Sequence, residues 1–553
     1  MQQQDLIIGV DAGTSVIKAV AFDREGQQLG LASTPNRVLY GAHGAAEQDM
    51  DRTWADTAAT LRLLAQQVPD LAGRSAALVA TAQGDGTWLI DAAGRPVGPA
   101  MLWLDARAAG EVAALRASAA AAPLAERTGA ALNASMQSGQ LLWLRRHAPQ
   151  RLARATTALH CKDWLYFQAT GVRSTCNTEA IFTFGNYRSG AYDEEVLALL
   201  GLPELARLLP PIVTPGSAHA PLTRAAAQDT GLRAGTPVVP APMDVPATLL
   251  GCGGIAYGPQ GLLRSVGCSV LGSTGMHGWA STDLQAIRPS AEAGYTMLMP
   301  LPGVCMRLMS HMAATLNIDW LLGLLAQAAE FAGAPVPARA ALLERLDHAV
   351  LAAAPGQAIF HPYVAENGER GPFVDPCARA QLSGFGASLG LSGLARAVYE
   401  GIVFAARDCY AAFGPIPEEI RLAGGAARSP ALRQLLANAT GRPVRVSRRE
   451  ECGAAGAALL AAVAIGEYAS LRDALPRWVD SHLDAHVTAP DPAQTALYDR
   501  LFPLYQQAAA RSRPLWAALG ALRSGTSTGL ADAAPARSPP ASAAATASRG
   551  TRA

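Results

Sequence analysis

The chain has 553 residues, of which half are hydrophobic and 16% are charged. This length and composition predict a globular protein with more than one domain and large buried cores. A formal net charge of +1 lacks the clustered basic charge that nucleic acids and anionic membrane surfaces attract, so both kinds of partner are excluded.

The chain opens on a predicted β-hairpin over residues 6–23, LIIGVDAGTSVIKAVAFD. Two apolar runs flank a turn of Gly13, Thr14 and Ser15, where small side chains leave backbone N–H groups and hydroxyls open to a phosphate. Asp11 stands beside this turn, although a carboxylate repels a bare phosphate. Either a cation therefore lies between Asp11 and the phosphate, or the turn is purely structural and Asp11 caps it.

A polar loop, AQGDG, follows the next apolar run. Gln83 and Asp85 lie two residues apart, so on an extended segment their side chains face the same way. An amide and a carboxylate supply donors and acceptors for neighbouring hydroxyls of a small polyol. Trp103 and Asp105 in LWLDAR add an apolar wall and a further carboxylate, with Arg107 as a structural partner. A polar surface loop is the alternative interpretation.

Asp244 lies between the apolar run PVVPAPM and the helix-like VPATLL. This position is at the carboxyl edge of a predicted strand, where α/β folds gather their functional sites. An N-cap role at the start of the following helix is an equally good explanation. The pattern alone leaves the two roles open.

Residues 261–276, GLLRSVGCSVLGSTGM, predict a second hairpin with Gly267, Cys268 and Ser269 at its centre. This segment thus resembles a degenerate copy of the opening hairpin, as if the chain started again. Because strand-like and helix-like runs alternate on both sides of this point, the pattern is α/β. We predict two related domains that face one cleft.

The predicted domain boundaries follow from this restart and from the composition of the last segment. The first domain covers residues 1–254 and the second covers residues 255–523. Residues 524–553 are rich in Ser, Ala, Thr and Pro and lack apolar periodicity, so they predict a disordered tail.

Several classes of site and location are excluded by counting. The two lysines, Lys18 and Lys162, do not follow a glycine, so the chain has no phosphate-binding P-loop, and it has no H-R-D triplet of protein kinases. The eight cysteines form no C-x-x-C pair, which argues against disulfides and thiolate zinc sites. The start MQQQ lacks the features of a signal peptide, and the longest uncharged apolar run is too short for a bilayer. We expect a cytoplasmic protein.

Five stretches in series resemble the FGGY family of carbohydrate kinases. They are GVDAGTS at the start, HPYVAENGERGPFVDP at 361–376, LARAVYEGIVFAARD at 394–408, AGGAARSPALRQLLANATGRPV at 423–444 and ECGAAGAALLAAVAIG at 451–466. Within the family, TAQGDGTWLIDAAGRPVGPAMLWLDARAA and HCKDWLYFQATG are most similar to the erythritol kinases. The resemblance implies an α/β, two-domain actin-like ATPase (ribonuclease-H-like) fold with a catalytic cleft between the domains.

The same resemblance implies how the opening hairpin is used. Asp11 would hold Mg²⁺ through its waters, since this cation arrives with ATP and takes oxygen ligands. The Gly13–Ser15 turn, including Thr14, would donate to phosphate oxygens. Lys18 would offset the charge that develops during transfer.

The second half would supply the rest of the nucleotide site. Gly424 and Gly425 lack Cβ atoms and let the backbone approach adenosine, while Ser429 adds a hydroxyl at the start of the next helix. Gly267 and Ser269 would replace the Gly-Thr-Ser turn of the family, with the Cys268 thiol as a weaker donor between them.

The implied reaction is ATP-dependent phosphorylation of a primary hydroxyl of a small polyol, with erythritol as the leading substrate. Asp244 would be the general base and would share the polyol with Gln83, Asp85, Trp103 and Asp105. One alternative is a kinase for another polyol or a ketopentose, of the xylitol, threitol or xylulose type. A more distant alternative is a non-catalytic actin-like sugar sensor. The sequence leaves the oligomeric state open, a homo-oligomer included.

Overall fold

We describe the protein from a computed structural model that covers residues 4–258 and 260–526, with side chains up to residue 523. The strands before residue 255 are β1 (Leu6–Ala12), β2 (Val16–Phe22), β3 (Gln28–Pro35), β4 (Leu39–Tyr40), β5 (Ala46–Gln48), β6 (Ser75–Ala82), β7 (Trp88–Ile90), β8 (Ala100–Met101), β9 (Thr157–Leu159), β10 (Thr175–Cys176), β11 (Gly185–Asn186), β12 (Ala191–Tyr192), β13 (Ile212–Val213), β14 (Ala220–Pro221) and β15 (Pro237–Val239). The later strands are β16 (Val266–Leu271), β17 (Gly275–Ser281), β18 (Tyr295–Leu298), β19 (Cys305–His311), β20 (Ile359–His361), β21 (Gln381–Ser383), β22 (Glu419–Ala423), β23 (Val444–Ser447) and β24 (Leu483–Thr488).

Helices alternate with these strands along the chain. Those before residue 255 are α1 (Met50–Gln67), α2 (Leu71–Arg74), α3 (Ala109–Arg116), α4 (Ala121–Thr128), α5 (Gln137–His147), α6 (Pro149–Arg154), α7 (Cys161–Thr170), α8 (Asn177–Phe184), α9 (Glu194–Leu199), α10 (Arg224–Thr230) and α11 (Asp244–Gly251). The later ones are α12 (Leu316–Phe331), α13 (Arg339–Ala352), α14 (Leu391–Ala411), α15 (Pro430–Thr440), α16 (Cys452–Ala464), α17 (Leu471–Trp478) and α18 (Pro492–Thr526). Short 3₁₀ turns cover Ala42–Gly44, Pro203–Leu208, Gly425–Arg428 and Asp480–His482.

Two mixed sheets organise the molecule, one on each side of residue 254. The first has the order β14-β15-β6-β1-β2-β3 and the second the order β18-β19-β17-β16-β22-β23-β24. In both, an antiparallel hairpin and a third antiparallel strand lie beside two parallel strands: β3-β2-β1-β6-β15 matches β19-β17-β16-β22-β23. The second sheet therefore repeats the first, as the restart in the sequence predicts, and the α/β two-domain fold is confirmed.

Helices α11 and α16 lie between the two sheets and pack against each other. Both are rich in small residues, which permits close backbone approach. A Cβ at Gly456 would clash with the backbone oxygen of Ala247, and one at Gly251 would clash with the oxygen of Cys452. A Cβ at Gly9 of β1 would lie 2.5 Å from the oxygen of Ala454, so α16 also packs on the first sheet. The Gly/Ala run of α16 is thus a buried helix, as its sequence predicts.

The opening hairpin is confirmed, since β1 and β2 pair antiparallel with Asp11 opposite Lys18. The turn of the second hairpin was predicted wrongly. β16 runs through Gly267, Cys268 and Ser269 to Leu271, and residues 272–274 form the turn. A strand buried on both faces tolerates small residues throughout, so Gly and Ser inside it do not mark a turn.

Gly267, Cys268 and Ser269 therefore lie inside the strand and cannot contact a nucleotide. The Cys268 and Ser269 side chains are fully buried. The Ser269 hydroxyl hydrogen-bonds with His277 Nδ1 and Tyr410 Oη, each at 3.0 Å. A Cβ at Gly267 would lie 2.9 Å from the Ile420 side chain, so this backbone faces the core.

The end of the described chain bears on the predicted tail. Residues 524–526 belong to the last turn of α18, which the composition did not predict. The remainder of the predicted tail, residues 527–553, lies outside the described residues. Within the described ranges, no helix combines the length and apolar character that a membrane span requires.

Candidate active site

A cavity of about 210 Å³ opens between the two halves of the chain. Its lining includes Asp85, Trp103 and Asp244 from the first half and Thr274, Tyr295, His311 and Arg370 from the second. Both lobes thus contribute polar groups to one small chamber, and a ligand within it contacts both. Its wall also contains Met243, Met276, Met297 and Leu308, so the polar groups project from an apolar surround.

Asp244 is the first residue of α11, and the preceding Met243 is the N-cap. The half-buried Asp244 carboxylate accepts the N–H of Val245 at 2.8 Å. Its pKa is raised well above the usual value, first by burial and then by the negative charges of Asp11 and Glu179. A carboxylate whose proton affinity is raised in this way is suited to accept a proton near neutral pH.

Asp85 lines the cavity, but Gln83 does not. Asp85 has a φ of 56°, in the left-handed region, so the loop is not extended and the two side chains do not face the same way. Gln83 is buried, accepts from Thr14 Oγ1 at 2.9 Å and donates to Gln48 Oε1 at 2.7 Å. The prediction that Gln83 grips the substrate is therefore wrong, and its role is to join the loop to the first hairpin.

One oxygen of Asp85, Oδ1, is buried without a hydrogen-bond partner among the described residues. The pKa of Asp85 is raised to about 6, chiefly by burial and then by the charge of Glu179, while Arg370 and His160 lower it. An unpartnered carboxylate oxygen beside a cavity is a free hydrogen-bond acceptor that a ligand can satisfy, because buried polar atoms are costly when unpaired. A hydroxyl of a bound ligand fits this requirement.

Trp103 and Asp105 have different roles. Trp103 lines the cavity, and its Nε1 donates to Thr14 Oγ1 at 2.8 Å. Asp105 is only 1% exposed, and its Oδ2 accepts from Ala46 N at 3.0 Å and from Arg107 Nη2 at 2.6 Å. Since both carboxylate oxygens bind Arg107 and neither faces the cavity, Asp105 is not a substrate ligand; Arg107 is its structural partner, as predicted.

Arg370 reaches the cavity from the second half. Its Nη2 donates to Ser135 Oγ at 3.1 Å, and its guanidinium carbon lies 5.7 Å from the centre of the Trp103 ring. The neighbouring Glu369 accepts the backbone N–H groups of Met312, Arg370 and Gly371, at 2.8, 2.7 and 3.3 Å. This anchored loop places a cation opposite Asp85 and bridges the cleft.

Asp11 lies at the end of β1, and α16 packs directly against it. A Cβ at Gly453 would lie 2.5 Å from Asp11 Oδ2. The pKa of Asp11 is raised to about 6, chiefly by burial, while Lys18 lowers it and Glu451 raises it. The turn after Asp11 is tied down, since the Thr14 hydroxyl donates to Gln83 and accepts from Trp103; the Ser15 side chain is exposed.

A second cavity of about 570 Å³ lies within the second half and is lined by Gly425 and Ser429 among others. Gly424 has a φ of 84°, and a Cβ there would lie 2.7 Å from the Leu271 oxygen, so a side chain is excluded. Ser429 is the N-cap of α15, accepting from Leu432 N at 3.1 Å, and its hydroxyl donates to Asp347 at 2.7 Å.

The turn at 272–274 joins the two cavities. Thr274 lines the smaller one, while Thr315, which lines the larger one, donates through its N–H and its hydroxyl to the Gly272 oxygen at 2.9 and 2.8 Å. A group transferred from a ligand in one cavity to a ligand in the other would therefore pass beside this turn. In the repeated sheet, the turn is the equivalent of Gly13–Ser15.

Several residues at the site were missed from the sequence. The GST triplet at 272–274 offered a signal, since it has the composition expected of a phosphate turn. Arg370 lies within the stretch NGERGP, but no residue type in it marks a cavity. Glu451 and Glu179 gave no local signal, because only tertiary packing brings them to Lys18 and Asp85.

Comparison with known proteins agrees with this architecture. The N-terminal domain model of the FGGY family of carbohydrate kinases matches residues 6–251, and the C-terminal domain model matches residues 267–465. Erythritol kinase of Brucella abortus (strain 2308) is 45% identical over 518 residues, covering 93% of this chain and 98% of that protein. L-xylulose/3-keto-L-gulonate kinase of Escherichia coli (strain K12) is 28% identical, covering 90% and 95%.

Solved structures show the same fold. Xylulose kinase from Rhodospirillum rubrum superimposes with a TM-score of 0.81 at 25% identity, covering 92% of this chain and 99% of that one. Plasmodium falciparum glycerol kinase with ADP gives a TM-score of 0.76 at 17% identity, covering 92% and 98%. The second likeness concerns the fold alone.

Proposed function

The chain belongs to the FGGY family of carbohydrate kinases, and we propose that it phosphorylates a primary hydroxyl of a small uncharged polyol, with erythritol as the leading substrate and ATP as the donor. The observation that carries this proposal is the cavity in which Asp85, Asp244 and Arg370 meet between the two lobes. The 45% identity to a protein named erythritol kinase supports the choice of substrate. Membership of a kinase family sets aside the non-catalytic sensor.

The charge balance of the cavity favours an uncharged ligand. The Arg370 cation acts on Asp85 and lowers its pKa, so the two charges offset each other. A sugar acid would add a carboxylate to a described lining that already holds Asp85 and Asp244 against one arginine, and desolvating that charge would be costly. Hydroxyl groups can instead accept from the guanidinium and donate to the Asp85 carboxylate.

In the proposed reaction, Asp244 takes the proton from the attacking hydroxyl as the new O–P bond forms and the bond to ADP breaks. The backbone N–H groups of residues 273–274 and of the Gly13–Ser15 turn would face the transferring phosphoryl group, whereas the Gly272 N–H donates to the Thr274 oxygen. The larger cavity would hold the adenosine end against Gly424 and Gly425. Enclosure between the lobes keeps water away from the phosphoryl group.

Asp11, at the end of β1, fits a divalent cation. Asp11 and Asp244 each have a raised pKa, and the charge of Asp11 contributes to raising that of Asp244. A hard cation held beside Asp11 would relieve the effect of the Asp11 charge on Asp244. When bound there, Mg²⁺ would neutralise charge on the nucleotide phosphates, and Asp11 would hold it through water.

The test is release of ADP from ATP and Mg²⁺ across a panel of erythritol, threitol, xylitol, xylulose, glycerol and a tetronic acid. We expect the highest kcat/KM with erythritol, a phosphate monoester as product and no turnover of the acid. ADP release that is equal with and without every polyol would overturn the proposal. A higher kcat/KM with xylulose would favour the second candidate, a ketopentose kinase, which the xylulose-kinase relatives support.

A further inference from the structure

A buried group of four titratable side chains lies beneath the loop that carries Asp85. It consists of His160, Lys162, Asp163 and Glu179, and each is less than 5% exposed. The Lys162 ammonium lies 2.6 Å from Glu179 Oε2 and 2.6 Å from Asp163 Oδ1. None of the four lines the cavity, so none contacts a ligand there.

Glu179 makes the connection to the cavity. Its Oε1 accepts the backbone N–H of Asp85 at 2.9 Å, so one carboxylate joins Lys162 on one side and the Asp85 backbone on the other. Asp85 has a φ of 56°, a conformation that a non-glycine residue adopts only at an energetic cost and that persists where the surroundings enforce it. The next residue, Gly86, is fixed in turn by the oxygen of Ser135 at 3.0 Å.

The cluster does not have the character of a metal site, although His160, Asp163 and Glu179 could be spaced for one. The Lys162 ammonium lies between the two carboxylates and supplies the positive charge that they need. A buried ion pair of this kind is seldom retained for stability, because desolvation offsets most of its Coulomb energy. Its value lies in fixing one arrangement of the groups it touches.

We propose that Glu179, held by Lys162, is a positioning residue that fixes Asp85 in its left-handed conformation and so aims the Asp85 carboxylate at the substrate. This inference rests on the proposed function, in which Asp85 binds the polyol. It makes polyol affinity depend on two residues that never touch the polyol. It also separates polyol binding from nucleotide binding, since the cluster is remote from the larger cavity.

The charge of Glu179 gives a second, independent readout. The charged and titratable groups around Asp85 are Glu179, Arg370, His160, Tyr295 and, in the same cavity, Asp244. Of these, Glu179 makes the largest charge contribution that raises the pKa of Asp85. Removing that charge must therefore move the ionisation of Asp85 to lower pH. A residue that served only to stabilise the fold would leave this ionisation where it is.

The experiment compares the full-length enzyme with Glu179→Asp and Glu179→Gln. Glu179→Asp keeps the negative charge beside Lys162 but withdraws the acceptor from the Asp85 N–H by one methylene. We expect the polyol KM to rise about tenfold, as loss of one hydrogen bond to a charged group implies, while the ATP KM stays within twofold. Glu179→Gln should raise the polyol KM and also move the acid limb of its pH profile, which Asp85 and Asp244 both shape, to lower pH, because the Glu179 charge raises the pKa of each.

Two further variants complete the design. Lys162→Met combined with Glu179→Gln should recover part of the loss, because the amide oxygen can then face Asp85 without placing its NH₂ group against an ammonium. Thr183→Val, on the same helix, removes a hydrogen bond to the Glu179 backbone oxygen at 2.8 Å and should lower stability without changing either KM.

The outcomes separate this inference from the proposed function. If the wild type shows no polyol-dependent ADP release, the proposed function fails. If the wild type is active and Glu179→Asp, folded by circular dichroism, has an unchanged polyol KM, the positioning role is wrong. An equal rise in the polyol and ATP KM values would also overturn it, since that is the result expected of general structural damage.

Discussion

Lys18 Nζ donates to both carboxylate oxygens of Glu451 at 2.9 Å, joining two residues that are 433 positions apart in the chain. The pair links β2 of the first half to the start of α16 in the second. Lys18 was predicted to offset charge on the transferring phosphoryl group, but in this structure its ammonium is engaged by Glu451.

The Lys18 pair is partly exposed, with side-chain exposures of 38% for Lys18 and 9% for Glu451. We therefore expect Lys18→Met and Glu451→Gln each to lower the free energy of unfolding by no more than about 1 kcal/mol, and not additively. Urea titration of both variants and the double variant measures this. A collapse of turnover in Lys18→Met with normal turnover in Glu451→Gln would instead show that Lys18 acts on the phosphoryl group directly.

Asp11→Asn tests the cation site. The amide cannot hold the waters of Mg²⁺ as a carboxylate does, so the Mg²⁺ concentration for half-maximal rate should rise and kcat should fall. Polyol binding without nucleotide, measured calorimetrically, should be unchanged because Asp11 does not line the polyol cavity. Glu451→Gln is the matched control, since Lys18 already offsets its charge. Full activity of Asp11→Asn at ordinary Mg²⁺ would limit Asp11 to a structural role.

Gly453→Ala should displace Asp11 without touching a ligand. The added Cβ would lie 2.5 Å from Asp11 Oδ2 and 3.3 Å from Thr248 Oγ1, so the carboxylate must move. Misplacement on this scale should lower kcat by roughly 10- to 100-fold. Gly323→Ala in α12 is the control, because its Cβ meets nothing within 4 Å and replacing a helical glycine stabilises by about 0.5–1 kcal/mol. Equal kinetics in the two variants would contradict the prediction.

The raised pKa of Asp11 predicts how stability changes with pH. Its pKa is about 6 in the fold against 3.8 as the ordinary value, so between about pH 4 and 6 the native state binds more protons than the unfolded chain. The free energy of unfolding must then fall as pH rises through this window, by on the order of 1–3 kcal/mol. Asp11→Asn should therefore melt above the wild type at pH 7.5 and equally at pH 4.

Asp91 provides the control of opposite sign. Its pKa is lowered, chiefly by the hydrogen bond from the Arg95 backbone N–H, so its ionised form is favoured by folding. Asp91→Asn should melt below the wild type at pH 7.5, and the difference should vanish as pH falls through the folded pKa of Asp91. Differential scanning fluorimetry in matched buffers is sufficient, and the same sign for Asp11→Asn and Asp91→Asn would show that burial of Asp11 does not govern its charge.

The sequence predicted those parts of the fold that local pattern determines. The apolar runs around Gly13 gave the first hairpin, and the Gly/Ala run after Glu451 gave a buried helix. The second turn was placed too early because β16 is apolar or small at every position, so alternation could not show where the strand ends.

The candidate site was predicted less completely, for a physical reason. Asp85, Trp103 and Asp244 were found because polar or aromatic residues interrupt apolar runs there. Arg370 and Glu179 reach the site only through packing between distant segments, and the φ of Asp85 cannot be read from neighbouring letters. The same limit explains why Gln83 and Asp105 were wrongly predicted to bind the substrate. Their polar groups form hydrogen bonds inside the first lobe.

Asp244 has two possible roles from its sequence position, general base and helix cap. The structure shows that Met243 occupies the N-cap position and that Asp244 faces the cavity with a raised pKa. An alcohol is a poor nucleophile at neutral pH, and a positioned base contributes about 10²- to 10⁴-fold. Asp244→Asn keeps the size of the side chain and removes the proton acceptor, so kcat should fall by about that factor in the ADP-release assay.

Binding and stability measurements separate a general base from a helix cap at Asp244. Because the interaction is used mainly in the transition state, ATP and polyol should bind Asp244→Asn with little change, and its melting temperature at neutral pH should rise as the repulsion from Asp11 is removed. Asp244→Ala should be equally inactive, whereas a cap would predict an active Asn variant and an Ala variant less stable by about 1 kcal/mol. Near-normal turnover of Asp244→Asn would remove Asp244 from the mechanism, and Asp85, the other carboxylate in the cavity, would become the first candidate for the base.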